Sequence, residues 1–307
     1  MEIHFEIENR CLLNCRHCSS FAKADGKVMN YTIKDMITFL RIFPERKNIF
    51  LTGGEPLLHE EFDGIISSLK SELSDVSVGA FTTGIVTHEG KKCGISEKRA
   101  HSLAALGLNM CYFSVYSTQA KKHDWMTENE GSFALTLESI KNMCEQNIEV
   151  KINLVVTEKN RDEIGDVIEL ASSLGCTEVR LLKLINHGRA KKCWTEIGLT
   201  EQEYRETVMK YSNIYKNIKI TASSCPDILP CRPFIDAKGC QAGSKLAYVT
   251  FEGNVFPCAA SKNKEYYKIA KLDDIMKLKY YFSRKTMIND VALCVRVNRQ
   301  CDIGIMQ

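Results

Sequence analysis

Short apolar segments alternate with segments of helical periodicity from the N-terminus to about residue 185. The short segments are rich in β-branched and aromatic residues, which favours strands, and the longer ones repeat apolar residues every three or four positions, which favours amphipathic helices. We predict six strands, at residues 3–7, 48–52, 76–82, 110–117, 149–157 and 178–184. Strands that alternate with helices in this way predict repeated βα units and a parallel sheet.

Local signals mark where several of the helices begin and end. Three pairs have the spacing of a capping box: Thr32 with Asp35, Asn160 with Glu163, and Thr200 with Glu203. Gly107 and Gly175 lie where C-terminal caps belong. Beyond Gly188 the alternation stops, so we predict one domain over residues 1–198 and a second over 199–307. In the second, Gly253 lies in a turn between apolar segments at 246–251 and 255–256, which predicts a β-hairpin.

Composition narrows the class of protein. The chain has 307 residues, 44% hydrophobic and 26% charged, which is typical of a folded globular protein with room for two domains. The net charge of +3 gives no electrostatic argument for nucleic acid. The acidic N-terminus lacks the apolar region of a signal peptide, and no segment is typical of a membrane span. We therefore expect a cytoplasmic protein that binds neither nucleic acid nor membrane.

Fourteen cysteines are many for a chain in a compartment where thiols stay reduced, and there clustered cysteines usually bind metal. Five are scattered and are expected in the core: Cys93, Cys111, Cys144, Cys176 and Cys193. Cys11, Cys15 and Cys18 lie together in the loop after the first strand. A structural zinc site needs four ligands, and His17 is a poor fourth because it adjoins Cys18. Three thiolates on a four-iron cluster would leave one iron open to a ligand.

The CxxxCxxC spacing resembles that of the radical S-adenosylmethionine (SAM) superfamily, and His17 fills a place that is usually aromatic there. After the second strand, Gly53-Gly54-Glu55-Pro56 resembles the SAM-binding motif of that family. Alone, it would indicate a tight strand-to-helix turn. The resemblance implies a [4Fe–4S] cluster that binds SAM, with the glycine backbone close to the ligand and Glu55 accepting from its ammonium group. It also implies an α/β fold, a partial (β/α)6 TIM-like barrel.

Other matches to the family are less specific. Thr83 stands where similar proteins have Asn, while Ser114 and Asn153 lie where SAM contacts are expected, at the fourth and fifth strands. The sequence Gly188-Arg189-Ala190 after the sixth strand is also similar to a family sequence. The stretch around His123-Asp124 resembles the branch that has an iron–sulfur extension, and we expect His123 to be a structural hydrogen-bonding residue.

The six C-terminal cysteines form a second group. Cys240, Gly253 and Cys258 have a spacing that resembles the opening of the SPASM extension, or of its shorter twitch form. The resemblance implies a small cysteine-rich iron–sulfur domain with a β-hairpin and a helix, holding one auxiliary [4Fe–4S] cluster. The expected ligands are Cys240, Cys258, Cys294 and Cys301, with Cys231 as the leading substitute. A zinc ribbon is the alternative for this group.

The resemblance implies that SAM is cleaved reductively to a 5′-deoxyadenosyl radical, which abstracts hydrogen from carbon. By analogy, the leading hypothesis is a ribosomally made peptide that becomes cross-linked, oxidised or epimerised. The cluster begins at Cys11, which leaves no room for an N-terminal leader-binding domain, so a separate recognition protein is expected. Flavodoxin or ferredoxin is the expected electron donor.

Two thiols and two alternatives remain. Cys225 and Cys231 are candidate hydrogen donors to a substrate radical, although a structural or ligating role competes with this one. The first alternative is a dehydrogenase or epimerase of a small molecule such as an aminoglycoside or sugar alcohol. The second is a non-catalytic zinc or redox-sensing protein.

Overall fold

The computed structural model describes residues 1–212, 218–224, 228, 242–262 and 264–284. Five cysteines of the C-terminal group lie outside the described residues: Cys225, Cys231, Cys240, Cys294 and Cys301. The predictions made for these five therefore stay predictions. Cys258 is the member of the group that the structure describes.

Ten strands of the described residues form one mixed sheet, in the order β12-β11-β10-β1-β2-β3-β6-β7-β8-β9. The strands from β10 through β1 to β9 are parallel, and β10, β11 and β12 pair antiparallel. Their bounds are β1 Glu2–Glu8, β2 Lys47–Gly53, β3 Val76–Thr82, β6 Met110–Ser114, β7 Glu149–Val156, β8 Glu178–Lys183, β9 Lys219–Ala222, β10 Leu246–Val249, β11 Asn254–Phe256 and β12 Ala270–Lys271. The six predicted strands are confirmed, with the fourth ending at Ser114 instead of residue 117.

Helices connect the parallel strands, as the βα pattern predicts. Their bounds are α1 Ile33–Leu40, α2 Phe62–Glu72, α3 Glu97–Ala105, α4 Ala120–Thr127, α5 Ser132–Cys144, α6 Ile164–Ser173, α7 Trp194–Ile197, α8 Glu201–Ser212 and α9 Ile275–Ser283. The α/β fold class is confirmed. No helix among the residues described here combines the length and apolar character that crossing a bilayer requires.

Two of the three capping boxes are confirmed. Thr32 and Asp35 bond reciprocally at the start of α1, and Thr200 and Glu203 do so at α8. The third is wrong, because Asn160 accepts from the backbone N–H of Thr157 and donates to Val155 O of β7 and to Tyr116 O instead of capping α6. A polar side chain that stabilises its own turn is the usual competitor of a helix cap.

Three features were not predicted from the sequence. A hairpin of β4 (Ile85–His88) and β5 (Lys91–Gly94) is inserted between β3 and α3. The short strand β9 extends the sheet beyond β8. The third feature is the parallel pairing of β10 with β1, through which this part of the C-terminal segment continues the N-terminal sheet. The hairpin that was predicted around Gly253 is present as β10 and β11.

The two faces of the sheet have different chemistry. Ile3, Phe5 and Ile7 of β1 are buried in the core that includes α1, whereas Glu2 and His4 line a cavity on the opposite face. Buried parallel strands are usually apolar on both faces. The polar inner face of β1 therefore marks the side of the sheet on which the functional site lies.

Candidate functional site

A cavity of about 420 Å³ lies on the inner face of the sheet. Residues at the carboxyl ends of the parallel strands contribute to its wall, among them Thr52 of β2, Thr82 of β3, Ser114 of β6 and Lys183 of β8. Parallel α/β folds bind ligands at this edge, because loops from neighbouring strands meet there. The position makes the cavity the leading candidate site.

The loop after β1 brings three thiols to this cavity. Cys11, Cys15 and Cys18 all line the wall, and they pack with the apolar side chains of Leu13 and Ala22. Burial raises the pKa of the Cys11 thiol to about 12 and that of Cys15 well above its ordinary value. These two thiols are therefore protonated near neutral pH until a metal displaces their protons.

Backbone hydrogen bonds from distant segments hold the thiol loop. Asn14 N donates to Thr127 O at 3.1 Å and Arg16 N to Met126 O at 2.9 Å, both at the end of α4. On the other side, Cys11 N donates to Lys23 O at 3.0 Å. The side chain of Arg16 adds to these main-chain contacts, since its Nε donates to Trp125 O at 3.0 Å.

The glycine loop after β2 lies directly against the chain that precedes Cys11. Gly54 N donates to Glu8 O at 2.6 Å, and Glu55 N donates to Arg10 O at 2.8 Å. A Cβ on Gly53 would lie 1.7 Å from Glu8 O, and one on Gly54 2.2 Å from Arg10 O. Only glycine permits this approach, and it couples the thiol loop to the glycine loop across the cavity wall.

The carboxylate of Glu55 is held by neighbouring donors. It accepts from Thr82 Oγ1 (2.7 Å), Thr83 Oγ1 (2.6 Å), Thr83 N (2.7 Å) and Leu57 N (3.3 Å). The expected contact of Glu55 with the ammonium group of SAM stays a prediction. Burial raises the pKa of Glu55. The side chain ties the glycine loop to the end of β3, and Pro56 begins a short 3-10 helix, Pro56–Leu58.

Two residues that line the cavity carry polar atoms without partners. Ser114 and Asn153 are neighbours in register on β6 and β7, and both line the cavity. The buried Asn153 Oδ1 and His17 Nδ1 have no hydrogen-bond partner among the described residues. Such groups are normally satisfied, so their position indicates room for a ligand that supplies the missing bonds.

His17 is neutral in this setting. Burial lowers its pKa to about 4, and its Nε2 lies 3.1 Å from the hydroxyl of Tyr116. The two rings also pack, with centroids 4.7 Å apart. A neutral imidazole keeps one nitrogen available to the cavity as donor or acceptor.

His123 and Asp124 have structural positions. His123 is buried between the rings of Tyr116 and Phe133, and burial lowers its pKa to about 4. The Asp124 carboxylate accepts from Gly131 N at 2.7 Å and Phe133 N at 2.9 Å at the start of α5. The carbonyls at the end of α4 bind the thiol loop, so His123 and Asp124, which fix α4 against α5, support that loop indirectly.

The C-terminal segment reaches the same cavity. Cys258 and Lys262 both line it. The Lys262 ammonium donates to Ser20 Oγ at 2.6 Å and forms a buried ion pair with Glu6, which also accepts from the Tyr248 hydroxyl at 2.6 Å. This network was not predicted from the sequence, although the polar residues that alternate along β1 could have indicated Glu6.

The three thiols of the loop are ligands of the kind that an iron–sulfur cluster takes, each thiolate binding a different iron. Among the described residues, no three His, Cys, Asp or Glu side chains lie close enough together to hold one metal ion. The three thiols, the glycine loop and the two residues with unpartnered polar atoms, His17 and Asn153, all line one cavity, and this set of groups fits a cluster with SAM.

Comparison with known proteins agrees with this geometry. The family model of the radical SAM superfamily matches residues 5–171. The chain is 24% identical over 277 residues to an AdoMet-dependent heme synthase of Oleidesulfovibrio alaskensis, covering 83% of this chain and 69% of the relative. It is 23% identical over 267 residues to a PqqA peptide cyclase of Methylocella silvestris, covering 84% and 67%.

Solved structures share the fold. SuiB of Streptococcus suis bound to S-adenosylmethionine superposes with a TM-score of 0.67 at 15% identity, over 91% of this chain and 65% of that chain. The anSMEcpe protein with bound AdoMet superposes with a TM-score of 0.70 at 14% identity, over 94% and 84%. The chain therefore spans just under two thirds of the length of SuiB.

Proposed function

The chain belongs to the radical SAM superfamily, and we propose that it abstracts a hydrogen atom from a carbon of a ribosomally made peptide, giving a cross-linked, oxidised or epimerised product. The observation that carries the proposal is the cavity in which Cys11, Cys15 and Cys18 share a wall with the glycine loop. When bound, a reduced [4Fe–4S] cluster with SAM supplies a 5′-deoxyadenosyl radical for that abstraction.

The residues of this chain then bind and orient the cofactors. Cys11, Cys15 and Cys18 are the proposed cluster ligands. The loop of Gly53, Gly54, Glu55 and Pro56 is the proposed contact of the amino-acid part of SAM, with the Glu55 carboxylate accepting from the ammonium group. Thr83, Ser114 and Asn153 are the further proposed contacts of SAM, and Asn153 Oδ1 has no described partner.

The names of several relatives support a peptide substrate. They include the PqqA peptide cyclase, the antilisterial bacteriocin subtilosin biosynthesis protein AlbA of Bacillus subtilis, and the mycofactocin maturase MftC of Mycolicibacterium smegmatis. SuiB, which shares the fold, has been solved bound to the precursor peptide SuiA. A separate leader-recognition protein, a flavodoxin or ferredoxin donor and a cytoplasmic location complete the proposal.

A small-molecule substrate is the second candidate. GTP 3′,8-cyclase and AdoMet-dependent heme synthase are also among the relatives, so the same chemistry serves different substrates across this group. For this chain the class would be an aminoglycoside or sugar alcohol that is dehydrogenated or epimerised. The third candidate, a non-catalytic zinc or redox-sensing protein, finds no support in a family whose chemistry is SAM cleavage.

Residues 199–307 are the proposed second domain, with one auxiliary [4Fe–4S] cluster held by Cys240, Cys258, Cys294 and Cys301, or with Cys231 in the set. The place of Cys258 on the cavity wall supports a cluster that can accept an electron from a nearby substrate radical. Cys225 and Cys231 remain proposed hydrogen donors, which would yield epimerisation. Replacing either with Ala should then preserve radical formation and abolish the epimerised product.

The substrate class is tested with deuterium. The loaded enzyme, SAM and a chemical reductant are incubated with a peptide encoded beside the gene and deuterated at its side-chain carbons. We expect deuterium in 5′-deoxyadenosine, and a peptide that has lost two hydrogens or changed configuration. Deuterium transfer from a sugar alcohol and none from the peptide would contradict the peptide assignment.

A further inference from the structure

The guanidinium of Arg189 contacts the loop that carries the three thiols. Its Nε donates to Cys15 O at 2.8 Å and its Nη1 to Ala22 O at 2.8 Å. Its backbone N–H donates to Cys18 O at 2.9 Å. A Cβ at the preceding Gly188 would lie 2.2 Å from that same oxygen. The segment after β8 is thus fitted to the thiol loop at van der Waals distance.

The charge of Arg189 has no carboxylate partner in the described part of the chain. Three other cations with little exposure line the same cavity, and each forms an ion pair: Arg180 with Glu178, Lys183 with Glu201, and Lys262 with Glu6. Among the residues that the structure describes, the guanidinium of Arg189 bonds to neutral carbonyls alone. A half-buried charge without an opposite charge is destabilising, so the position of Arg189 favours an anion beside it.

The guanidinium of Arg189 lies against the backbone that carries the proposed ligands. Its Nε contacts the carbonyl of Cys15, and the Arg189 backbone N–H contacts the carbonyl of Cys18. Three thiolates that hold an iron–sulfur cluster would supply the negative charge that the guanidinium lacks.

We propose that Arg189 is a positioning residue whose guanidinium is the counter-charge of the cluster at Cys11, Cys15 and Cys18, and that it raises the reduction potential of that cluster. The inference rests on the proposed function. Reduction adds one electron from an external donor to the cluster, and a fixed cation stabilises the more negative, reduced form. Net charge and hydrogen bonding around the thiolates are the protein's means of setting this potential. The two hydrogen bonds from the guanidinium of Arg189, to Cys15 O and Ala22 O, also stabilise the conformation of the loop.

The test is a redox titration of the full chain, loaded with iron and followed by electron paramagnetic resonance, without substrate. Arg189→Gln removes the positive charge. Arg189→Lys keeps the charge but cannot form both hydrogen bonds of the guanidinium. Arg16→Gln is the matched control, because Arg16 lies in the same loop but faces Trp125 and pairs with Glu128 at 3.4 Å.

We expect Arg189→Gln to make reduction at least tenfold less favourable, which is about 59 mV for one electron. Arg189→Lys should keep most of the wild-type potential, and Arg16→Gln all of it. Equal potentials in wild type and Arg189→Gln, or an equal shift in Arg16→Gln, would overturn the inference. If the Arg189→Gln protein holds no iron, the iron content of Arg189→Lys decides: iron retained by Arg189→Lys supports the role of the positive charge, and loss of iron from both variants overturns the inference. Wild-type protein without iron would instead refute the proposed function.

Discussion

The two segments that meet at the cavity are held in place by different means. The thiol loop is held through its own main-chain atoms, which bond to the end of α4, to the chain at Lys23 and to the backbone and side chain of Arg189. In the C-terminal segment, a side chain makes the contacts: Lys262 joins Glu6, Ser20 and Tyr248, in addition to the pairing of β10 with β1. The side that would hold the cofactors is therefore anchored at many main-chain atoms, while the side that would face the substrate depends on a few replaceable contacts.

The largest effect on activity is expected from loss of a thiol in the thiol loop. Cys15→Ser removes one of the three proposed ligands. Even the mutation of a residue that only hydrogen-bonds to a metal ligand lowers metal affinity or activity by about 10- to 100-fold. We expect SAM cleavage to fall by more than about 100-fold, with loss of iron. Iron content and 5′-deoxyadenosine are measured together. Cys93→Ala, in the β4–β5 hairpin, is the control and should keep both; a Cys15→Ser protein that keeps its iron would contradict the ligand set.

The next effect tests whether backbone contact, not side-chain chemistry, holds the glycine loop. In Gly54→Ala the new Cβ would lie 2.2 Å from Arg10 O and force the two loops apart. A misplacement of about 1 Å costs on the order of 100-fold in rate, so we expect SAM cleavage to fall at least tenfold. Overpacking should also lower the free energy of unfolding by about 2 kcal/mol.

Gly64→Ala is the matched control for Gly54→Ala. Gly64 lies in helix α2, and a Cβ there meets nothing within 4 Å. Alanine in a helix should raise the free energy of unfolding by about 0.5–1 kcal/mol and leave SAM cleavage unchanged. If the two alanine variants behaved alike, close approach of the two loops would not be what position 54 requires.

The third prediction concerns the side held by side chains. Lys262→Met leaves the buried Glu6 carboxylate without its cation. Breaking a buried pair from one side costs about 3–5 kcal/mol, so we expect the free energy of unfolding to fall by about that amount. SAM cleavage should fall only a few-fold, because the thiol loop keeps its backbone contacts. The double variant Glu6→Gln, Lys262→Met should recover most of the stability; a double variant as unstable as the single one would contradict the account.

The smallest effect is a pH dependence of the metal-free protein. His123 is buried with its pKa lowered to about 4 from an ordinary 6.5, so between these values the unfolded chain binds a proton that the folded chain does not. Stability should therefore rise as pH increases from about 4 to 6.5 and level off above. In His123→Phe the slope of unfolding free energy against pH should decrease. The exposed His88→Phe is the control, and an equal change of slope there would contradict the assignment.

Local sequence predicted the parts of the molecule that depend on local patterns. The six strands, the α1 and α8 capping boxes and the turn at Gly253 follow from residues close in sequence. The pairing of β10 with β1 joins segments more than 240 residues apart, and no local pattern specifies such a partner.

The same limit applies to the site. The thiol and glycine motifs were evident because each chemical requirement is contained in one short segment. The hydrogen bonds of the Glu55 carboxylate with Thr82 and Thr83, and the ion pair of Glu6 with Lys262, arise only when distant strands are brought together. The sequence therefore indicated which groups carry chemistry, and the structure indicated which groups support them.

The central claim is that this cavity holds an iron–sulfur cluster that cleaves SAM. The direct measurement is anaerobic reconstitution of the full chain, followed by iron analysis and quantification of 5′-deoxyadenosine after addition of SAM and dithionite. We predict brown protein with about eight irons per chain if both proposed clusters are four-iron cubes, and 5′-deoxyadenosine that depends on SAM, reductant and Cys15. Colourless protein that contains zinc and forms no 5′-deoxyadenosine would contradict the account.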